Sequence, residues 1–344
     1  MTLKILILLL IPALSLSHSL NKVFESVNPT VVVIHITGDK PKKNNNPNPL
    51  DKSFNKKNIG SGVVISDDGK IMTASHLVHS ADTITVKFLN GNLIPARVLS
   101  SVPHADVALI QLEQIPEKLQ VATLGNSDQV LVGDEVFVIG APYGYSHTIS
   151  KGIVSARYNP GDLDTEMGMS ELIQTDAAIN TGNSGGPMFN EHGEVIAIVS
   201  HIISHSGGNE GLGFAVTSNM SKKLLLENKP VWSGLDGIII SKLAEILNVP
   251  QPAGYLVQHV AKNSIADRVG IIGGSVPTTI NDTHFLLGGD IIIEMLGIKI
   301  ESNTDTFKNI RKKLSLLKPD DEIVIKVLRR GKVITLSTRL NEKY

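Results

Sequence analysis

Thr181-Gly182-Asn183-Ser184-Gly185-Gly186-Pro187 places a serine in a turn built almost wholly of small residues. Glycines on both sides let the backbone take tight or positive-φ geometry and expose the hydroxyl. Such a turn also aims the amides of Gly182 and Ser184 at one point, where they could bind a developing oxyanion. An ordinary turn between two strands would carry the same letters. The flanking sequence decides between these readings, and it decides the fold as well.

From Gly60 to about Val216 the chain runs through short, strand-like segments separated by Gly, Asn and Asp. Gly62–Ser66, Thr83–Leu89, Val107–Leu112, Glu135–Ile139, Gly152–Ala156 and Val195–Ser200 are examples, and no long amphipathic pattern interrupts them before Ser218–Glu227. Many short strands with frequent turns predict an all-β barrel or sandwich, not a parallel α/β sheet. A Gly-x-Ser-x-Gly elbow of the α/β-hydrolase kind needs a strand, a turn and a helix in succession. Ser184 instead lies between strands.

The 344 residues suffice for two or three domains. Lys+Arg at 32 against Asp+Glu at 33 leaves no basic surplus, which argues against nucleic acid as a partner. The chain has no cysteine, so disulfides, thiolate metal sites and a cysteine nucleophile are excluded.

Residues 1–19 differ in kind. Lys4 precedes the apolar run Ile5–Leu16, and Ser17 and Ser19 stand at −3 and −1 to a cleavage point before Leu20. This is the grammar of a secretory leader. The run is short of the roughly 20 residues a membrane span needs, and an uncleaved anchor is the alternative. The mature chain is read as exported. Val23, Phe24 and Val27 then share a helical face, and Val31–Ile36 reads as a strand. Residues 38–58, rich in Pro, Asn and Lys, read as a flexible surface loop between strands.

A serine nucleophile needs a base, and the base needs a group that holds its tautomer. Thr73-Ala74-Ser75-His76 supplies a histidine among small neighbours, and Asp106-Val107-Ala108-Leu109 puts an aspartate at the mouth of a buried strand. Singly, each could be a satisfied histidine or a strand-end cap. His76, Asp106 and Ser184 in that order on an all-β chain form a candidate triad. His76 with His79, and His201 with His205, have helical spacing, but no acidic third ligand accompanies them; neither a metal nor another cofactor is expected.

These three segments resemble the triad motifs of trypsin-fold serine proteases. Ile173-Gln174-Thr175-Asp176-Ala177-Ala178-Ile179-Asn180, Ile139-Gly140-Ala141-Pro142-Tyr143-Gly144 and Gly211-Leu212-Gly213-Phe214-Ala215-Val216 resemble the HtrA/Deg branch more narrowly. The resemblance implies two six-stranded β-barrels over residues 20–228, with the site in the cleft between them. It implies His76 as general base, Asp106 as its orienter, and Ser184 as nucleophile, with an oxyanion hole at Gly182, Asn183 and Ser184. Ser200 matches the position that supports the buried aspartate. A specificity pocket near Ala178, Ile179, Ser200, His201 and Ile202 would be apolar and favour small aliphatic side chains. Asn183 stands where secreted digestive relatives carry an aspartate that pairs with a new N-terminus, so activation by propeptide removal is not expected. Ala74-Ser75, Pro187 and His201 depart from the family's usual residues, and the last bears on specificity.

Residues 231–340 read as a separate α+β unit after the linker Asn228-Lys229-Pro230. Strands are expected at Gly237–Ile240, Tyr255–Val260, Asp290–Glu294, Glu322–Leu328 and Val333–Thr338, and helices near Lys242–Leu247 and Thr304–Leu317. Residues 273–287 read as a surface excursion. Leu243–Pro250, Gly254–Val257 and Gly288–Ile292 resemble a PDZ domain of the HtrA type. That resemblance implies capture of C-terminal peptides by β-addition, with a carboxylate loop at Leu235, Asp236, Gly237 and Ile238. It also implies homotrimers or multiples of them, with Phe24 as a contact, and a periplasmic, ATP-independent endopeptidase acting on unfolded or misfolded polypeptides. A holdase or a PDZ adaptor with little proteolysis is the alternative.

Overall fold

The structure is a computed structural model that describes residues 19–37, 59–163, 170–204, 208–228, 232–280, 283–318 and 320–339. Residues 1–18 of the leader, the loop expected at 38–58, and Lys229 and Pro230 of the linker lie outside that set.

Helix α1 (Leu20–Val27) buries Val23 and Val27, with Phe24 packed at the margin of the same core. Pro29 cannot continue a helix, and a single 3-10 turn leads into β1 (Val31–Thr37). There follow β2 (Ile59–Val64), β3 (Lys70–Thr73), the one-turn helix α2 (Ser75–Val78), β4 (Thr83–Lys87), β5 (Leu93–Val102) and β6 (Val107–Leu112). They close into a barrel in the order β1-β2-β3-β6-β5-β4. In β5 the alternation is plain: Ile94, Ala96 and Val98 face inward while Leu93, Pro95 and Arg97 are exposed.

A second barrel, ordered β10-β11-β12-β9-β8-β7, is built from β7 (Glu135–Gly140), β8 (Thr148–Tyr158), β9 (Leu172–Thr175), β10 (Pro187–Asn190), β11 (Val195–Ile202) and β12 (Gly213–Thr217). Closure pairs every strand on both sides and removes sheet edges. One apolar cluster is shared by both barrels: Val31, Val63 and Met72 of the first meet Ile139, Phe189 and Val195 of the second. Phe137 and Phe189 stack there with centroids 5.2 Å apart. The run of short strands predicts a barrel or sandwich, and the double barrel is the form that the family resemblance implies. Helix α3 (Ser218–Lys222), capped by the Thr217 hydroxyl, continues through a π-turn at Lys223–Glu227.

The C-terminal part comprises β13 (Leu235–Ile240), β14 (Gly254–Val260), α4 (Ile265–Val269), β15 (Val276–Ile280), β16 (Thr283–Leu287), β17 (Ile291–Met295), β18 (Ile298–Lys299), α5 (Thr304–Ser315), β19 (Glu322–Arg329) and β20 (Lys332–Arg339). The main sheet runs β13-β14-β17-β19-β20, with β18 beside β17. The excursion at 273–287 is the separate hairpin β15–β16. Lys242–Leu247, expected as a helix, is a series of turns. Helix α4 lies outside the expected elements; Ser264 caps its start and Gly270, at φ 83°, ends it.

This module rests on the first barrel. Trp232 Nε1–H donates to the His79 carbonyl at 2.8 Å, and His79 Nε2 lies 3.2 Å from the Leu235 carbonyl oxygen. Asp82 lies 3.4 Å from His259 Nε2 and accepts from the Lys262 amide at 3.3 Å. His79 and Asp82 follow His76 on the same stretch of chain.

Candidate active site

Helix α2 carries His76 at the rim of the first barrel. Asp106 follows a 3-10 turn and sits at φ 53°, a left-handed geometry that aspartate tolerates better than most residues. This backbone turn brings its carboxylate under α2. Asp106 accepts from the His76 amide at 2.9 Å and lies 2.8 and 2.9 Å from His76 Nδ1. A carboxylate only accepts, so Nδ1 carries the proton and neutral His76 keeps its Nε2 lone pair for a base's work. The Ser200 hydroxyl, on β11, donates to Asp106 Oδ2. Burial alone would raise the Asp106 carboxyl, but the His76 contacts and the Ser200 hydroxyl outweigh it and hold it below its ordinary value.

Ser184 is half-buried on the turn between β9 and β10. Among the described residues no hydrogen bond joins its hydroxyl to His76. The turn is clamped by Ser61 of β2, a residue outside the candidate set read from the sequence. Ser61 N–H donates to the Ser184 carbonyl at 2.9 Å, and its hydroxyl donates to the Gly182 carbonyl at 2.7 Å. Ser61 Oγ in turn accepts from the Ala141 amide at 3.0 Å. Its one sequence signal is its place between Gly60 and Gly62. A Cβ at Gly185, which has φ 81°, would overlap the Ser61 carbonyl oxygen, so the close approach requires glycine.

The three amides expected in the oxyanion hole are not equivalent. Asn183 N–H donates to the Asn180 carbonyl at 2.9 Å and is not available to a ligand in this conformation. No protein acceptor engages the N–H of Gly182 or Ser184 among the described residues. The Thr181 carbonyl accepts from the Tyr143 amide at 2.8 Å. Across a planar trans peptide the Gly182 N–H therefore points the opposite way. Asn183 itself is buried; its Nδ2 donates to the Ala178 carbonyl at 3.3 Å, while Oδ1 has no partner among the described residues.

Residues 60–198 match the family model described as a trypsin-like peptidase domain. The periplasmic serine endoprotease DegP of Salmonella typhimurium is 37% identical over 292 residues, covering 83% of this chain and 57% of that protein. A "Probable periplasmic serine endoprotease DegP-like" of Pseudomonas putida (strain GB-1) is 37% identical over 257 residues, covering 72% and 53%. The solved structure of the HtrA-type protease AlgW with tripeptide is 28% identical, covers 93% of this chain and 96% of that one, and superposes with a TM-score of 0.52. The chain belongs to the HtrA/Deg family. It spans about half the length of the curated relatives it matches.

In this HtrA/Deg chain the expected pocket residues differ in burial. Ala178 is exposed, whereas Ile179 is buried in the second barrel with Ile202 packed against its cluster. A Cβ at Gly213 would stand 2.6 Å from Ile179 Cδ1, so the two residues pack closely. Ser200 is buried on Asp106, and His201 stacks on Phe214 with centroids 5.1 Å apart. Leu235, Asp236, Gly237 and Ile238, expected as a carboxylate loop overlapping the strand at Gly237–Ile240, form the first part of β13, an edge strand bulged between Asp236 and Gly237. His79, which has metal-ligand spacing from His76, faces the Ser101 hydroxyl at 2.9 Å, and His205 lies outside the described residues.

Proposed function

We propose that the chain is an exported, ATP-independent serine endopeptidase that degrades unfolded or misfolded envelope polypeptides. The observation that carries this is the chain of hydrogen bonds from Ser200 through Asp106 to His76, set beside a Ser184 turn with two unengaged amides. Ser184 Oγ attacks the peptide carbonyl as His76 Nε2 takes its proton. Asp106 holds the imidazolium, and the Gly182 and Ser184 amides stabilise the oxyanion. His76 then protonates the leaving amine, and water releases the acyl group by the reverse roles. Ile179 and Ile202 favour a small aliphatic side chain before the scissile bond.

Residues 20–228 form the protease unit in this reading and 231–340 a PDZ domain. The edge position of β13 supports β-addition of a C-terminal peptide there. The periplasmic assignment follows the relatives' names and the leader grammar, and trimers follow from the family. Fluorophosphonate labelling and degradation of an unfolded substrate test the reading, with Ser184→Ala as the control. Wild-type protein that neither labels at Ser184 nor cleaves would sink it.

A further inference from the structure

His201 follows Ser200 on β11, and its Nδ1 lies 3.3 Å from Ser200 Oγ. Ser200 has one hydroxyl proton, and the Asp106 carboxylate, which can only accept, takes it at Oδ2. Ser200 Oγ can therefore only accept from His201, and the proton of that contact belongs to Nδ1. Phe214 covers one face of the ring and fixes its plane, while the residue stays partly exposed. The titratable groups acting on His201 among the described residues are Asp106 and His76. Tyr158, behind Phe214, is engaged with Gln174 at 3.0 Å.

We propose that His201 is a positioning residue, donating from Nδ1 to Ser200 Oγ and so extending the hydrogen-bonded chain that ends on His76. A hydroxyl that accepts a hydrogen bond is a stronger donor through its own proton. Ser200 then withdraws more charge from Asp106, and Asp106 pulls less on the His76 Nδ1 proton. The contact sits at the long end of hydrogen-bond distances, which makes its effect modest. Burial keeps the His201 imidazole below its ordinary value, Asp106 opposes that, and His76 adds to it.

The inference rests on the serine-protease reading, and its test separates the two. His201→Phe keeps a ring on Phe214 but has no donor; His201→Gln restores one. The low-field proton signal of the His76–Asp106 hydrogen bond is followed against pH in each full-length variant, beside the pH profile of kcat/KM. In His201→Phe the low-field signal should shift and the acid limb of kcat/KM should move up by about half a unit. The plateau kcat and KM should stay within about twofold, because the contact acts on proton sharing along the chain, and Gln should return the acid limb most of the way. An unchanged signal and acid limb in a folded His201→Phe would overturn the proposal. His201→Leu carries the same comparison if the Phe variant does not fold. Failure of wild-type labelling at Ser184 would overturn the protease reading instead, since the proton signal needs no turnover.

Discussion

Trp232 donates its indole N–H to the backbone carbonyl of His79 at 2.8 Å, tying the C-terminal module to the turn that follows His76. Trp232→Ala removes that bond and the packing of the ring on the first barrel, at a cost of about 2 kcal/mol to their association. Hydrogen exchange should speed up around both His79 and Leu235. The rate of fluorophosphonate labelling should change at least twofold while the fraction that labels stays the same. Loss of all labelling in folded protein would refute a merely modulating role for the module.

Gly182 has φ 106°, and a Cβ there would overlap the Ala141 carbonyl oxygen. Gly182→Ala must therefore displace the peptide whose N–H serves the oxyanion. The kcat should fall about a hundredfold, and circular dichroism should report an otherwise folded chain. A variant with wild-type kcat would remove Gly182 from the hole.

Asn183 is buried, and its neutral amide suits a site where no cation meets its Oδ1 among the described residues. Asn183→Asp would place an unpaired carboxylate there and destabilise the fold by about 3 kcal/mol at neutral pH. Protonation removes that charge, so the deficit against wild type should shrink as pH falls towards 5. Urea denaturation across that range measures it, and a deficit independent of pH would contradict the account.

Burial, helped by the charge of Arg311 on α5, pushes His104 down to about 4. Between its unfolded value near 6.5 and that folded value, only the unfolded chain takes up the proton. Stability should therefore fall as pH drops through this window. His35, His147 and His201 are lowered too and add to the slope. His104→Gln should flatten it by on the order of 2 kcal/mol. Chemical denaturation at pH 7 and pH 4.5 compares the two, and an unchanged slope would count against His104.

An all-β fold of short strands and a candidate triad are legible in the order of residues alone. Alternating apolar positions such as Ile94, Ala96 and Val98 are local properties of the chain, and Gly182 to Gly186 announce a turn that larger residues could not form. His76, Asp106 and Ser184 are readable because their residue types and order carry the chemistry. Other roles arise only when the chain is folded. Ser61 acquires its role from a contact 121 residues away in sequence with Gly182, and its flanking glycines do not point to that partner. The Asn183 amide is taken by Asn180, and Leu235 to Ile238 are strand because His259 and its neighbours on β14 offer a register. Hydrogen bonds between distant backbone groups depend on how the barrels close and pack, and that is a property of the assembled chain.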